Sequence, residues 1–198
     1  TAAVQRRGGK PVCRLVWSEA DSLPGLVVDR YNDLLTIQAL TCGIDRRLPQ
    51  ILDILQRLLK PREIVLRNDA ATRKLEGLDQ HIRTASGQSL EPSWMEVGGV
   101  QASVDLMGGQ KTGMYLDQLD QHARVAQLAK GRRALDAFCN QGGFGLACAK
   151  AGATSVLGLD SSEDAIVAAR AAATRNGLNA QFEVANVFDW FTEHREAT

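Results

Sequence analysis

The strongest chemical signal is the run Asp136-Ala-Phe-Cys-Asn-Gln-Gly-Gly-Phe-Gly145. A glycine-rich turn lets backbone come close to a ligand, and free amides at the start of a following helix suit a negative or polar group. Gly142, Gly143 and Gly145 do not keep the G-x-G-x-x-G spacing of dinucleotide sites, which argues against a pyrophosphate cofactor. Asp160 lies roughly two dozen residues after Asp136, where a carboxylate can accept both ribose hydroxyls of an adenosine lying across strand ends. A helix N-cap role competes for Asp160, although Ser161 and Ser162 can fill that need. Asn186 and Val187 stand where an adenine base would reach, the side-chain carbonyl accepting from the adenine amino group and the valine packing the ring. A loop asparagine with no ligand reads about as well from Asn186 alone.

A second cluster, Gly108-Gly-Gln-Lys-Thr-Gly-Met-Tyr-Leu-Asp-Gln118, has the flavour of a phosphate loop, but Gln110 stands where the glycine before lysine is required. A nucleoside triphosphatase is therefore excluded.

These residues need elements to hold them. Leu23-Pro-Gly-Leu26 reads as a turn, and Leu26 to Tyr31 and Leu34 to Leu40 as a hairpin joined at Asn32-Asp33. Between Asp45 and Lys60, leucine and isoleucine recur at three- and four-residue steps, the signature of one helical face ending before Pro61. Ile64 to Arg67 is a strand, residues 68 to 93 are polar and irregular, and Glu96-Val97 with Val100 to Leu106 form another hairpin. After it come an amphipathic helix (Leu116 to Lys130), a buried strand (Ala134 to Cys139), a helix (Leu146 to Ala151), a strand (Ser155 to Asp160), an alanine-rich helix (Ala165 to Asn176) and a strand (Ala180 to Ala185). Strand and helix alternate here, which predicts a parallel sheet in βαβαβ order, a mononucleotide-binding half. The fold class expected is α/β: a connector over 1–13, a central α+β domain over 14–107, and the βαβαβ first half of a Rossmann-like domain over 108–198. Because the chain opens on Thr1 and stops soon after the third strand of that domain, it reads as a fragment.

Composition sets the outer limits. With 44% hydrophobic residues among 198, the chain can bury a core, and 23 basic against 23 acidic residues leave no net field toward nucleic acid or membrane. No apolar run approaches the ~20 residues of a membrane span, and Thr1 to Arg7 lacks the apolar core of a secretory signal, so a cytoplasmic protein is expected. Cys13, Cys42, Cys139 and Cys148 match no zinc or disulfide spacing. His81, His122 and His194 are scattered and make no metal site.

Taken together, Gly109 to Gln118, Leu135 to Gly145 and Gly158-Leu-Asp-Ser-Ser162, with Ser18 to Tyr31 upstream, resemble the bacterial ribosomal RNA large-subunit methyltransferase I family along nearly the full chain. That resemblance implies a class I methyltransferase fold using S-adenosylmethionine, and methylation of C5 of a cytosine in 23S ribosomal RNA. Members carry an N-terminal RNA-binding PUA domain, of which only an exit connector is expected here. Carried across, the resemblance assigns Asp136, Phe138, Asn140, Gly142 and Gly143 to the cofactor turn, Asp160 and Ser161 to the ribose, and Asn186 and Val187 to the adenine. Lys111, Thr112, Gly113, Asp117 and Gln118 belong to the segment that closes over the methionine end. Asn186 departs from the family's usual aspartate, and Leu119-Asp-Gln-His122 from a continuation richer in arginine and asparagine.

The Asp-Pro-Pro-like motif that holds the target base, and the cysteine that a C5 methylator adds to C6, are not in these residues, so no catalytic residue is expected in this chain. Cys139 reads better as core filling than as that nucleophile. With the base-choosing motif absent, a guanine methyltransferase of the same lineage and a non-catalytic RNA-binding or assembly module stay open. The partner implied is ribosomal RNA. The pairs Arg6-Arg7, Arg46-Arg47 and Arg132-Arg133 could touch RNA phosphates but read better as plain solvated surface, while Trp17 and Trp94 are expected in the core. A parallel sheet of three strands leaves an apolar edge, which predicts a homodimer through that edge, local disorder or aggregation.

Overall fold

A computed structural model of the protein describes residues 10–109 and 111–195. The chain divides into two units, Thr1–Met95 with Val104–Leu116, and Glu96–Ser103 with Asp117–Thr198. On either side of the boundary expected at residue 108, residues 96–103 group with the second unit and residues 108–116 with the first. The expected connector falls mostly on residues 1–9, which lie outside the described residues together with Arg6-Arg7. Its last residues, Val12 and Cys13, already belong to a strand.

The first unit is built on a five-stranded sheet. Strands β1 (Val12–Trp17), β2 (Leu26–Tyr31), β3 (Leu34–Ala39), β4 (Glu63–Asn68) and β5 (His81–Thr84) lie in chain order. All neighbours pair antiparallel except β3 and β4, which run parallel and are joined through helix α1 (Cys42–Leu59). The hairpin β2–β3 turns at Asn32, whose φ of 56° suits an asparagine in the left-handed region. Thr41 caps α1 by accepting from the Ile44 amide, Asp45 sits in the first turn, and the helix ends at left-handed Lys60 before Pro61. Leu48 and Leu55 of α1 pack with Leu15, Val28, Leu35, Ile37 and Leu66 in one core.

The other face of this sheet is polar at its centre. Asp29 is fully buried and takes both arms of the Arg14 guanidinium at 2.8 and 2.9 Å. The Thr112 hydroxyl donates to the same carboxylate at 2.5 Å, and the Met114 amide donates to the buried Tyr31 hydroxyl at 3.2 Å. Arg67, buried on β4, donates to the Leu106 carbonyl. These bonds fasten residues 104–116 to the sheet. Burial, with the Asp29 charge, pushes the Tyr31 phenol well above its ordinary range.

Two elements lie inside the stretch expected to be irregular: the short helix α2 (Thr72–Leu75) and β5. Their polarity hid them. Arg73 is buried, yet it reaches Asp45 at 2.9 Å and the carbonyls of Ala39 and Asp79, so a charge stands where an apolar residue was looked for. The two tryptophans correct another expectation. Trp17 is 50% exposed with the Arg14 guanidinium 4.3 Å from its ring centre, and Trp94 is 36% exposed.

Strands β6 (Ser93–Val97) and β7 (Val100–Val104) form a two-stranded sheet across the turn Gly98-Gly99, both glycines being left-handed.

In the second unit the expected alternation is present: α3 (Leu119–Ala129), β8 (Arg133–Ala137), α4 (Gly143–Lys150), β9 (Ser155–Asp160), α5 (Glu163–Asn176), β10 (Gln181–Val184) and α6 (Val187–Glu193). The three strands pair parallel in the order β10-β9-β8. Ser162 caps α5 and Gly177 closes it in the left-handed region. The core is small: Phe182, Leu146, Ile166 and Cys139 against the alanines Ala169, Ala172 and Ala173, with Val100 joining from β7. Asn176 clasps Gln101, accepting from its amide at 2.9 Å and donating to its carbonyl at 2.8 Å. Helix α3 starts later than expected, after a tight turn over Leu116–Gln118, and buries Ala126 and Ala129 rather than its larger residues. Strand β8 is only partly buried, with Leu135 exposed, where a buried strand was expected. Among the described residues no helix is long and apolar enough to cross a membrane.

Candidate functional site

Parallel pairing puts the carboxyl ends of β8, β9 and β10 on one edge, where ligands of such sheets bind. The register sets Ala137 beside Leu159 and Asp160 beside Val184, so the three ends are level. Leaving β8, the chain makes a turn in which Phe138, Asn140 and Gly142 all have positive φ, at 60°, 48° and 79°. Two of these are not glycine, so the turn holds strain that its bonds must offset. The bonds are explicit. Cys139 donates to the Leu159 carbonyl at 2.9 Å, the Asn140 amide to Oδ2 of Asp160 at 2.8 Å, and the Gly145 amide to Oδ2 of Asp136 at 2.7 Å.

Both acids are therefore structural before they are anything else. Asp160 spends Oδ2 on the turn and Oδ1 on the Ser162 amide at 2.9 Å, which fixes its carboxylate between β9 and α5. A carboxylate offers about four acceptor positions, so two remain for hydroxyl donors. Asp136 is half-buried, and its loss of solvent raises its carboxyl to about 6, with the Asp160 charge adding to the rise and the Gly145 amide opposing it. The glycines answer to packing as well. A Cβ on Gly142 would meet the Phe182 ring at 2.6 Å, and one on Gly143 would meet the His122 ring at 2.5 Å. The amides of Gly143 and Phe144 open α4 and have no intrahelical acceptor.

At the third strand end, Asn186 caps α6, its Oδ1 accepting from the amides of Phe188 at 3.0 Å and Asp189 at 3.4 Å. This alters the expected adenine contact: the carbonyl oxygen is occupied, and the side-chain amide group is what Asn186 can offer a base. Val187 beneath it is buried. Phe188, exposed, lies 5.5 Å from the Phe138 ring. Ser161 is exposed between Asp160 and the cap of α5.

Asp136, Phe138, Asn140, Gly142, Gly143, Asp160, Ser161, Asn186 and Val187 are thus gathered at one edge of one unit. Asp117 and Gln118 lie exposed in the turn before α3. Lys111, Thr112 and Gly113 belong to the first unit. Lys111 is exposed with its ammonium 4.4 Å from the Tyr115 ring centre. Thr112 is 1% exposed and bonded to Asp29, so its hydroxyl anchors the segment and offers nothing to a ligand. Gly113 is buried, and a Cβ there would strike Leu106 and press on Tyr31. Sequence reasoning missed Asp29, whose signal was an acid at an inward position of an apolar strand, and it set aside His122.

Cys139 is buried against Phe182, and burial with the charges of Asp136 and Asp160 pushes its thiol up to about 12. At that value it is no nucleophile, and its place is in the core. Among the described residues no group of histidines, cysteines and acids could hold a metal ion.

The family described as "Methyltransferase domain" matches residues 128–197. The ribosomal RNA large subunit methyltransferase I of Tolumonas auensis is 41% identical over 189 residues, covering 92% of this chain and 47% of the relative. Among solved structures, a Streptococcus mutans protein described as a SAM-dependent methyltransferase superposes with a TM-score of 0.79 at 21% identity, over 98% of this chain and 52% of that one. A second, described as a methyltransferase complexed with SAH, gives 0.78 at 21% identity, over 98% of this chain and 51% of that one. These two establish the fold. Along nearly its whole length the chain is similar to ribosomal RNA large subunit methyltransferase I proteins, and it spans about half the length of the curated relatives it matches.

Proposed function

We propose that this chain carries the cofactor-binding part of an S-adenosylmethionine-dependent methyltransferase of large-subunit ribosomal RNA, and that the atom methylated is C5 of a cytosine in 23S RNA. The observation that carries the cofactor reading is Asp160: a carboxylate held by two amides at the end of the middle strand, with two acceptor positions left for a pair of hydroxyls. Asp160 would hold the ribose, the Asn186 amide group and Val187 the adenine, and the turn from Phe138 to Gly143 the methionine end. When bound, the cofactor supplies an electrophilic methyl on a sulfonium. The chain's own contribution is to fix that group's orientation, since the turn and both acids are tied down before any ligand arrives.

The RNA reading rests on similarity to the ribosomal RNA large subunit methyltransferase I relatives, and the base-activating residues are assigned to the part of the relatives' length that this chain does not span. The exposed Trp17 ring, backed by an Arg14 that Asp29 holds in place, offers a stacking face for a nucleobase. Isothermal titration of S-adenosylhomocysteine tests the cofactor reading directly. Binding by this chain is expected, and Asp160→Ala should weaken it by about tenfold or more, the loss of charge-assisted hydrogen bonds. Binding untouched by that substitution overturns the reading.

A further inference from the structure

The sheet order assigns a direction to the proposed ligand. Asn186 follows β10, Asp160 ends the central β9, and the turn follows β8, so adenine, ribose and the remaining chain of the cofactor map onto the three strand ends in that order. What lies beyond the ribose on the β8 side is the Gly142-Gly143 turn, and against that turn lies His122 of α3. An ideal Cβ on Gly143 would stand 2.5 Å from its Cε1, 3.0 Å from Nε2 and 3.3 Å from Nδ1, so the imidazole edge rests on the glycine backbone. The ring makes an edge contact with Phe144, centroids 4.3 Å apart, and its nitrogens have no hydrogen-bond partner among the described residues. A half-buried imidazole with both nitrogens unused is an unspent hydrogen-bonding group.

We infer that His122 is a specificity-determining residue of the proposed cofactor site, one that recognises the aminocarboxylate of the methionine moiety across Gly143. The inference rests on the cofactor reading above. Burial holds the imidazole below its ordinary pKa, so near neutral pH it carries one donor and one acceptor, matching a group that has both a carboxylate and an amine. It also explains why position 143 must be glycine: any side chain there would displace the ring from the place where ligand and imidazole meet.

The test compares two ligands that share adenosine and differ in the aminocarboxylate: S-adenosylhomocysteine and 5′-methylthioadenosine, titrated into this chain and its variants. His122→Phe keeps the edge contact with Phe144 and removes the nitrogens. It should lower affinity for S-adenosylhomocysteine by about tenfold while leaving 5′-methylthioadenosine unchanged. His122→Gln, which restores hydrogen bonding, should recover part of that loss and guards against a variant that merely folds badly. Asp160→Ala should weaken both ligands. Equal weakening of both ligands by His122→Phe, or no change in either, overturns the role of His122 while leaving the cofactor reading intact. Failure of the unsubstituted chain to bind either ligand overturns both.

Discussion

In the first unit, β2 and β3 bury residues on both faces: aliphatic side chains meet α1 on one, and Asp29, Tyr31 and Thr36 lie on the other. The second unit has a core of one phenylalanine and a few alanines, and it leaves Leu128 70% and Phe188 72% exposed. The first spends its polar groups internally, in a buried network with nearly every member paired. The second ties two acids to a strained turn and keeps the aromatic residues beside that turn in the open. Rigidity thus has two sources here, burial in one unit and hydrogen bonds to strand-end carboxylates in the other.

The contrast can be broken most sharply at Asp29. Asp29→Ala leaves Arg14 without its carboxylate and frees Thr112, and breaking a buried pair of this kind costs about 3 kcal/mol. Urea denaturation should show the loss, and amide exchange should rise over residues 111–116. An unchanged exchange pattern there would mean that the network does not anchor the segment.

Asp136 should respond in the opposite sense. Its carboxyl is raised from 3.8 to about 6, so the folded chain binds this proton more tightly than the unfolded chain. The associated stability is fully present below the ordinary carboxylate value and is lost as pH rises through about 6. Asp136→Asn keeps an acceptor for the Gly145 amide and removes the half-buried charge. It should stabilise the chain by roughly 1–2 kcal/mol near pH 8 and by almost nothing near pH 4. A gain of equal size at both ends of that range would place its origin elsewhere.

The smallest effect is expected at Thr36, whose buried hydroxyl has no partner among the described residues. Thr36→Val should raise stability by about 1 kcal/mol. A loss would point to a bond in solution that the hydroxyl makes.

How far these features were legible in sequence depended on whether their cause was local. Glycine turns, the Ser162 cap, the alanine-rich helix and the spacing from Asp136 to Asp160 are written in neighbouring residues, so the second unit could be traced strand by strand. The first strand and β5 could not, because Arg14, Arg73 and His81 look like surface residues until their partners, 15, 28 and 13 positions away, are known. The segment around Thr112 was recognised by its motif, but a motif does not say which way a hydroxyl points. His122 had no signal at all, since its meaning comes from a glycine on another helix. Asn186 was placed at the right strand end, though its carbonyl proved to be engaged in starting α6.

The division of the chain runs through both strands of the β6–β7 hairpin, since Met95 and Val104 fall on one side and residues 96–103 on the other. Neither unit is therefore a continuous stretch of sequence, and no single cut separates them. A fragment beginning at Asp117 would lack Val100 and the Gln101 backbone that Asn176 clasps. Recombination or subcloning at that point would leave those contacts behind, and only a swap that carries the hairpin along would keep them.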